Sequence, residues 1–114
     1  MANFNWISVK EQMPEDDVDV LVCGVYKVMN DHYESFVRIG NYDPKLECLG
    51  QERFSTILVP AWDILGITYI EEYDDWGDYE GRALLQEGED YIVTSWAPIP
   101  DASEEALKLV TSKP

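Results

Sequence analysis

The segment YIEEYDDWGDYEG, residues 69–81, contains six carboxylates and four aromatic rings but no lysine or arginine. Clustered carboxylates can hold a cation. They can also imitate the phosphates of a nucleic acid and so contact a protein surface rich in lysine and arginine. A third interpretation is a solvated acidic loop. The sequence therefore offers three different roles for one segment.

The cation role finds no support in the spacing of the ligands. A calcium loop of the EF-hand type needs acids at positions one, three and five, glycine at six and glutamate at twelve. With Asp74 at position one, Trp76 occupies position three and Tyr79 position six, so the pattern fails. Structural zinc needs four nitrogen or sulfur ligands as a rule, and the two cysteines and one histidine supply three. We expect no bound metal and no cofactor.

The contact role follows if the segment is extended, because alternate side chains of an extended chain lie on opposite faces. Carboxylates on one face then recur about every 6.7 Å, and lysine or arginine side chains can settle on that spacing. One face carries Glu72, Asp74, Asp78 and Glu80 around Trp76, and the other carries Glu71, Tyr73, Asp75 and Tyr79. The predicted partner-binding residues are Glu71, Glu72, Asp74, Asp75, Trp76, Asp78, Tyr79 and Glu80. Gly77 and Gly81 favour turns, which keeps the solvated loop open as an alternative.

Catalytic constellations are not recognisable in the chain. His32 is its single histidine and lies in a turn-like stretch, MNDHYES, while neither Cys23 nor Cys48 has a base fixed nearby by sequence. We therefore predict no catalytic residue and no enzyme. Among 23 acids, pairs suited to acid–base catalysis cannot be picked out, so a small carboxylate- or metal-dependent hydrolase is the first alternative. A homo-oligomeric scaffold module is the second.

Charge limits the class of partner. The chain has 23 acidic and 8 basic residues, a net charge of −15, where small domains usually carry about 2 to 8. Direct binding to nucleic acid or to an anionic membrane needs the opposite sign. A compact chain of this length is about 34 Å across, and duplex DNA of that length carries about 20 phosphate charges. We expect a basic host protein as partner, with nucleic-acid-binding proteins as one candidate class; solubility is the plainer explanation of the charge.

Length and composition indicate a single domain over residues 1–114, with an apolar fraction of 46% that suffices for a core. No apolar run approaches the roughly 20 residues of a membrane span, and the first residues lack the basic and apolar regions of a signal peptide. We expect a cytoplasmic protein with reduced cysteines.

The elements are mostly strands. VDVLVCGVYKV, residues 18–28, and YESFVRIGNY, residues 33–42, alternate around a turn at MNDH, which predicts an antiparallel hairpin. Pro44 should end the second strand, because proline cannot donate to a ladder. Residues 45–55 are then a loop or a short helix.

Further along, TILVPAWDILGITYIEEY, residues 56–73, predicts two short strands or one bulged edge strand, because Pro60 and Gly66 interrupt it. EDYIVTSW, residues 89–96, predicts a core strand. DASEEALKLV predicts a helix with Asp101 or Ser103 as N-cap. The fold class is α+β, mainly β, with a small twisted antiparallel sheet and one C-terminal helix.

Two segments resemble a known family. WISVKEQMPEDDVDVLV, residues 6–22, and VTSWAPIP, residues 93–100, are similar to the domain of unknown function 551 family, small proteins often carried by phages and prophages. The matching residues are Trp6, Ile7, Ser8, Val9, Pro14, Val20, Leu21, Val22, Val93, Thr94, Trp96, Pro98 and Pro100. Met13, Ser95, Ala97 and Ile99 depart from the family pattern, which has Leu, His, Met and Leu there. An activity that depended on that histidine could not operate with Ser95.

The resemblance implies a bacteriophage setting and little chemistry. Of the matched residues, Trp6 and Trp96 are predicted to be core anchors because of their large apolar rings. Together with the acidic segment, these observations predict a phage-type accessory protein that binds a host protein. In that reading its acidic, aromatic-bearing surface occupies the nucleic-acid site of a defence or transcription factor and inhibits it.

Overall fold

A computed structural model describes residues 5–50 and 55–111. The chain forms seven strands and one helix in these ranges. They are β1 (Ile7–Ser8), β2 (Val20–Met29), β3 (His32–Leu49), β4 (Thr56–Asp63), β5 (Tyr69–Tyr73), β6 (Tyr79–Leu84), β7 (Tyr91–Pro98) and α1 (Glu104–Thr111). Five strands form an antiparallel sheet in the order β1-β7-β2-β3-β4, and β5 pairs with β6 separately. The predicted fold class is thereby confirmed.

The first hairpin forms where the alternation predicts it. β2 pairs with β3 from Val20 opposite Gly40 to Lys27 opposite Tyr33. The turn between them includes Asp31, whose φ of +59° lies in the left-handed region that aspartate tolerates better than most residues. The predicted antiparallel hairpin is confirmed.

The predicted end of the second strand at Pro44 is wrong, because β3 continues to Leu49. Its first half pairs with β2 and its second half with β4. Asp43 lies opposite Ala61 and Leu46 opposite Val59, so Pro44 and Lys45 face Pro60 in a bulge. A bulge leaves residues outside the ladder, so a strand can pass through a proline there. The loop or short helix predicted for residues 45–55 is also wrong over 45–49; residues 51–54 lie outside the described ranges.

The core lies between the inner face of the sheet and the segment that follows β4. It contains Val20, Val22, Phe36, Trp62, Ile64, Ile67, Tyr91, Val93 and Trp96. Thr68 is buried among them, and its hydroxyl donates to the Trp62 carbonyl at 2.6 Å and accepts from the Ile64 N–H at 3.0 Å. Trp96 is confirmed as a core residue at 7% exposure. Trp6 is not: it is 37% exposed, because Ile7 beside it is the residue that packs against the core.

The remaining predictions concern the second half of the chain. Residues 56–73 form two strands, β4 and β5, as the first of the two alternatives predicts. The predicted interruption at Pro60 is wrong, because β4 runs through it. β7 is a strand with buried Tyr91 and Val93. Helix α1 begins after Ser103, whose Oγ accepts from the Ala106 N–H at 3.1 Å, so Ser103 is the N-cap. Within the described ranges no helix has the length and apolar character that crossing a membrane requires.

The molecule is longer than the sequence estimate assumed. Its Cα radius of gyration is 17.5 Å and its extents are 52 × 38 × 26 Å, whereas a compact chain of this length has a radius near 13 Å. Duplex DNA 52 Å long carries about 30 phosphate charges. The protein's net charge of −15 is about half of that, so any likeness to DNA has to be a local property of one surface.

Candidate functional site: the acidic hairpin

The acidic segment is a β-hairpin, so the hypothesis of one extended strand is wrong. Glu71 lies opposite Arg82, Glu72 opposite Gly81 and Tyr73 opposite Tyr79. The chain reverses between Asp74 and Asp78 because the segment contains the turn residues that close such a hairpin. The eight predicted partner-binding residues are therefore divided between the two strands and the turn, and they do not form two long faces.

Asp74 builds this turn. Its Oδ1 accepts hydrogen bonds from the backbone N–H groups of Trp76 at 2.9 Å and Asp78 at 2.8 Å. The Asp74 N–H donates to the Asp78 carbonyl at 2.8 Å, and the Gly77 N–H donates to the Asp74 carbonyl at 3.0 Å. Gly77 has a φ of +85°, which glycine adopts at little cost. The Asp74 carboxylate thus holds the turn together, and sequence reasoning missed this role although aspartate three residues before glycine is a turn signal.

Trp76 lies at the tip of the turn and is 89% exposed. Two of the predicted carboxylates, Asp75 and Asp78, flank it and are exposed as well. A tryptophan ring in water is unusual, because this side chain buries more apolar area than almost any other when it finds a partner. The tip therefore combines a large apolar ring with negative charge on both sides.

Tyr73 and Tyr79 form a second aromatic group below the tip. Their ring centroids are 5.5 Å apart and their planes meet at 65°, an edge-to-face arrangement. Both side chains remain about half exposed, and the Tyr73 hydroxyl lies 3.5 Å from Glu71 Oε2. Cross-strand pairing thus fixes two tyrosines and an exposed glutamate beside Trp76.

Like Asp74, Glu72 and Glu80 are half-buried, which separates them from the exposed acids of the segment. Glu72 borders an apolar cleft of about 440 Å³ that Leu49, Ile57 and Leu84 also line. Glu80 lies in a bulge of β6 and lines a more polar cleft of about 440 Å³ with Lys45. These two carboxylates face the rest of the protein, and they are less suited to a first contact with a partner.

The root of the hairpin contains its one basic residue, Arg82. Its guanidinium lies 5.0 Å from the centroid of the Tyr69 ring and 4.0 Å from Asp63 Oδ2. Burial of Tyr69 raises the pKa of its hydroxyl, and a hydrogen bond with Asp63 adds to this rise. Arg82 is therefore engaged with Tyr69 and Asp63. It lies opposite Glu71 in the ladder, while Asp75 and Asp78 lie farther along, in the turn.

The residues considered for catalysis or metal binding lie apart in the fold. His32 is exposed at the first position of β3, Cys23 is half-buried in the middle of β2 and Cys48 is buried near the end of β3. Both cysteines are free thiols, and burial raises the pKa of Cys48. Over residues 5–50 and 55–111 no group of three or more histidine, cysteine or acidic side chains is placed to hold a metal ion.

Comparison with known proteins identifies one family. Residues 5–55 match the family described as Protein of unknown function (DUF551). No curated protein and no solved structure matches the chain. The match covers β1, β2 and β3 and stops before β4, so the acidic hairpin lies outside it. Over residues 5–55 the chain matches the DUF551 family, which confirms the resemblance at residues 6–22; residues 93–100 lie outside the match.

Proposed function

We propose that this protein is a phage-type accessory protein that binds a basic host protein through the tip of its acidic hairpin, in the cytoplasm of a bacterial host. The observation that carries the proposal is Trp76, 89% exposed between two exposed acids in a turn that two hydrogen bonds to Asp74 close. Tryptophan and tyrosine dominate the binding energy of many protein interfaces. Here the fold presents one tryptophan and two tyrosines together.

Charge supports the class of partner. The net charge of −15 repels nucleic acids and acidic proteins and attracts basic ones at long range. The aromatic rings provide stacking surfaces for arginine, whose guanidinium prefers such faces. Carboxylates beside these rings complete a site for arginine and lysine side chains that otherwise contact phosphates. In this proposal the protein competes with a nucleic acid for its host factor and inhibits that factor.

The geometry selects which acids should make contact. Asp74 is occupied by the turn, while Glu72 and Glu80 are half-buried. Glu71, Asp75 and Asp78 remain exposed around the aromatic rings. These three carboxylates, with Trp76, are the proposed contact residues.

The test is an affinity pull-down from bacterial lysate with three tagged variants. The first is Trp76→Ala. The second, the tip variant, combines Glu71→Gln, Asp75→Asn and Asp78→Asn. The third is a matched control that combines Glu11→Gln, Glu15→Gln and Asp16→Asn. These three positions are exposed and lie more than 50 residues before the hairpin in the sequence. Tip and control variants both have a net charge of −12, three units less negative than −15.

We expect the native protein and the control to recover the same basic protein, and the two tip changes to lose it. Binding should weaken as salt rises, because the attraction is screened over about 8 Å at physiological ionic strength. Equal loss in tip and control variants would show that only total charge matters and would refute the proposed contact. Recovery of acidic or neutral partners alone would refute the proposed class of partner.

A further inference from the structure

The large sheet has a second face, opposite the core, with an unusual composition. Strand pairing places three rows of side chains on it: Leu21 with Ile39 and Ala97, Cys23 with Val37 and Ser95, and Val25 with Ser35 and Ile92. We call these nine residues the outer face. An antiparallel sheet with one face in water normally carries polar side chains there. The outer face instead has six apolar residues, a cysteine and two serines.

The exposed part of this face is uncharged and mostly apolar: Ser35 is exposed with three apolar residues, and Ala97 is buried. Ile39 is 61% exposed, Val37 58% and Ile92 39%. The chain contains 23 acidic residues, yet none of the nine positions is acidic. Exposed apolar patches of this kind mark interaction sites. The partner of this patch has to suit an uncharged surface on a strongly acidic protein.

The two ends of the outer face carry opposite charges. Along β2, side chains at odd positions share this face, so Asp19 lies just before Leu21 and Lys27 just after Val25. Asp19 Oδ1 accepts a hydrogen bond from Asn41 Nδ2 at 3.1 Å, which places its carboxylate on the same side as the outer face. Cys23 lies midway between the two charged residues, about 14 Å from each along the strand.

This arrangement is self-complementary. A twofold axis that lies between the two sheets, parallel to them and at right angles to β2 at the level of Cys23, would place Lys27 of one copy opposite Asp19 of the other, and the reverse. It would also stack the apolar rows of both copies against each other. Interfaces of twofold dimers have this property, because the same surface patch serves both subunits. We propose that the outer face binds a second copy of this chain in this antiparallel register.

Electrostatics distinguishes a second copy from other occupants. Two copies with a net charge of −15 each repel over most of their surfaces. At the outer face two copies can approach without bringing carboxylates together. The two contacts between Asp19 of one copy and Lys27 of the other are attractive. A basic partner has the acidic hairpin available and gains no charge contact from this face. The patch spans three strands and is smaller than the roughly 800 Å² per partner of a standard interface, so the dimer is reversible and concentration-dependent.

The first test is sedimentation velocity over a concentration series with the full chain and two charge-matched variants. One combines Val37→Glu and Ile39→Glu on the outer face. The control combines Leu58→Glu and Leu65→Glu, which are 60% and 56% exposed outside that face. Each variant has a net charge of −17, two units more negative than −15. We expect native and control proteins to dimerise and the outer-face variant to remain monomeric.

The salt dependence of dimerisation is an independent test. Because repulsion between like copies is screened, dimerisation should strengthen from low to physiological salt. Binding of the basic host protein should weaken over the same range. The two proposals can therefore fail separately. A monomer at every concentration and salt level, or equal loss of association in both variants, would overturn the proposed dimer while leaving the hairpin proposal untouched.

The second test addresses the register and does not depend on the outer-face variant folding. Asp19→Lys and Lys27→Glu should each weaken association at least several-fold, since each opposes like charges across the axis. The double variant has the native net charge of −15 and should regain association. A short bismaleimide linker should join Cys23 to Cys23, because packed sheets lie about 10 Å apart; Cys23→Ser removes this product. Failure of the double variant to recover, or linkage through Cys48, would overturn the proposed register.

Discussion

Trp96 and Trp76 are the same residue type in opposite surroundings. Trp96 is 7% exposed, lies opposite Ile7 in the sheet, and donates its Nε1–H to the Gln12 carbonyl at 2.8 Å. Trp76 is 89% exposed at the end of a hairpin. The first ring has its apolar surface and its one donor satisfied within the fold. The second has most of its apolar surface in water, so it contributes little to the stability of the fold.

The β2–β3 hairpin, beside the strand of Trp96, and the β5–β6 hairpin of Trp76 differ in the same way. β2 and β3 share a long register and contribute Val20, Val22 and Phe36 to the core. β5 and β6 are short, and an isolated two-stranded hairpin is marginal in water. The second hairpin is supported at its root, where Tyr69 is buried, and nearer the turn, where Gly81 lies close to Leu49. We therefore expect local stability to fall from the sheet towards the tip of the second hairpin.

The largest expected effect is at Trp96. Trp96→Ala should lower the free energy of unfolding by about 3–5 kcal/mol, because it leaves a large cavity in the core. Trp6→Ala should cost less, about 1–2 kcal/mol, since Trp6 is 37% exposed. Urea denaturation of both variants measures the difference. Equal losses in the two variants would contradict the conclusion that Trp96 lies in the core and Trp6 does not.

The two thiols should differ in reactivity. Cys48 is 2% exposed and burial raises the pKa of its thiol, so little thiolate is available to react. Cys23 is half-buried on the outer face. In dilute native protein a thiol reagent should modify Cys23 faster than Cys48 by about tenfold or more. The measurement is the rate of reagent uptake in Cys23→Ser and Cys48→Ser variants, and similar rates would show that the end of β3 opens readily.

An intermediate effect is expected in the turn. Asp74→Ala removes the acceptor of two backbone N–H groups and should cost about 0.5–2 kcal/mol, as loss of a helix cap does. Asp74→Asn keeps an oxygen at this position and should be nearly neutral. Thermal melts of both variants compare them. A loss of similar size in both would mean that the charge of Asp74, and not its geometry, stabilises the turn.

The smallest effect on stability should come from Trp76. Trp76→Ala removes a ring that is almost fully in water, so the free energy of unfolding should stay within about 0.5 kcal/mol of the native value. The same variant should lose the host protein in the pull-down. A clear drop in the melting temperature would show instead that Trp76 supports the hairpin, and would remove the main argument for its role in binding.

Local patterns predicted the elements whose partners are adjacent in sequence. Alternation and the MNDH turn predicted the β2–β3 hairpin, and Ser103 with its following acids predicted α1. Patterns failed where a distant strand decides the outcome. Pro44 looks like a strand end, yet pairing with β4 continues the strand through a bulge. Trp6 and Trp96 look equivalent, because composition does not reveal which face of a sheet becomes the core.

The acidic segment shows a similar division. Its composition predicted a negatively charged segment with exposed aromatic rings. Six of the eight predicted contact residues are exposed on the hairpin or take part in its turn. The other two, Glu72 and Glu80, are half-buried. Their role in binding a partner stays a prediction. Sequence could not separate Asp74 from its neighbours, because its function depends on backbone N–H groups that only the closed turn brings together.

The bulge that contains Pro44 and Pro60 also affects how the protein behaves at high concentration. β4 is the outermost strand of the five-stranded sheet, and an exposed edge strand is a template for adding strands from other molecules. Pro60 has no N–H to offer an incoming strand, and the bulge twists the backbone beside it. The same irregularity that lets β3 change partners thus guards the sheet against edge-to-edge aggregation.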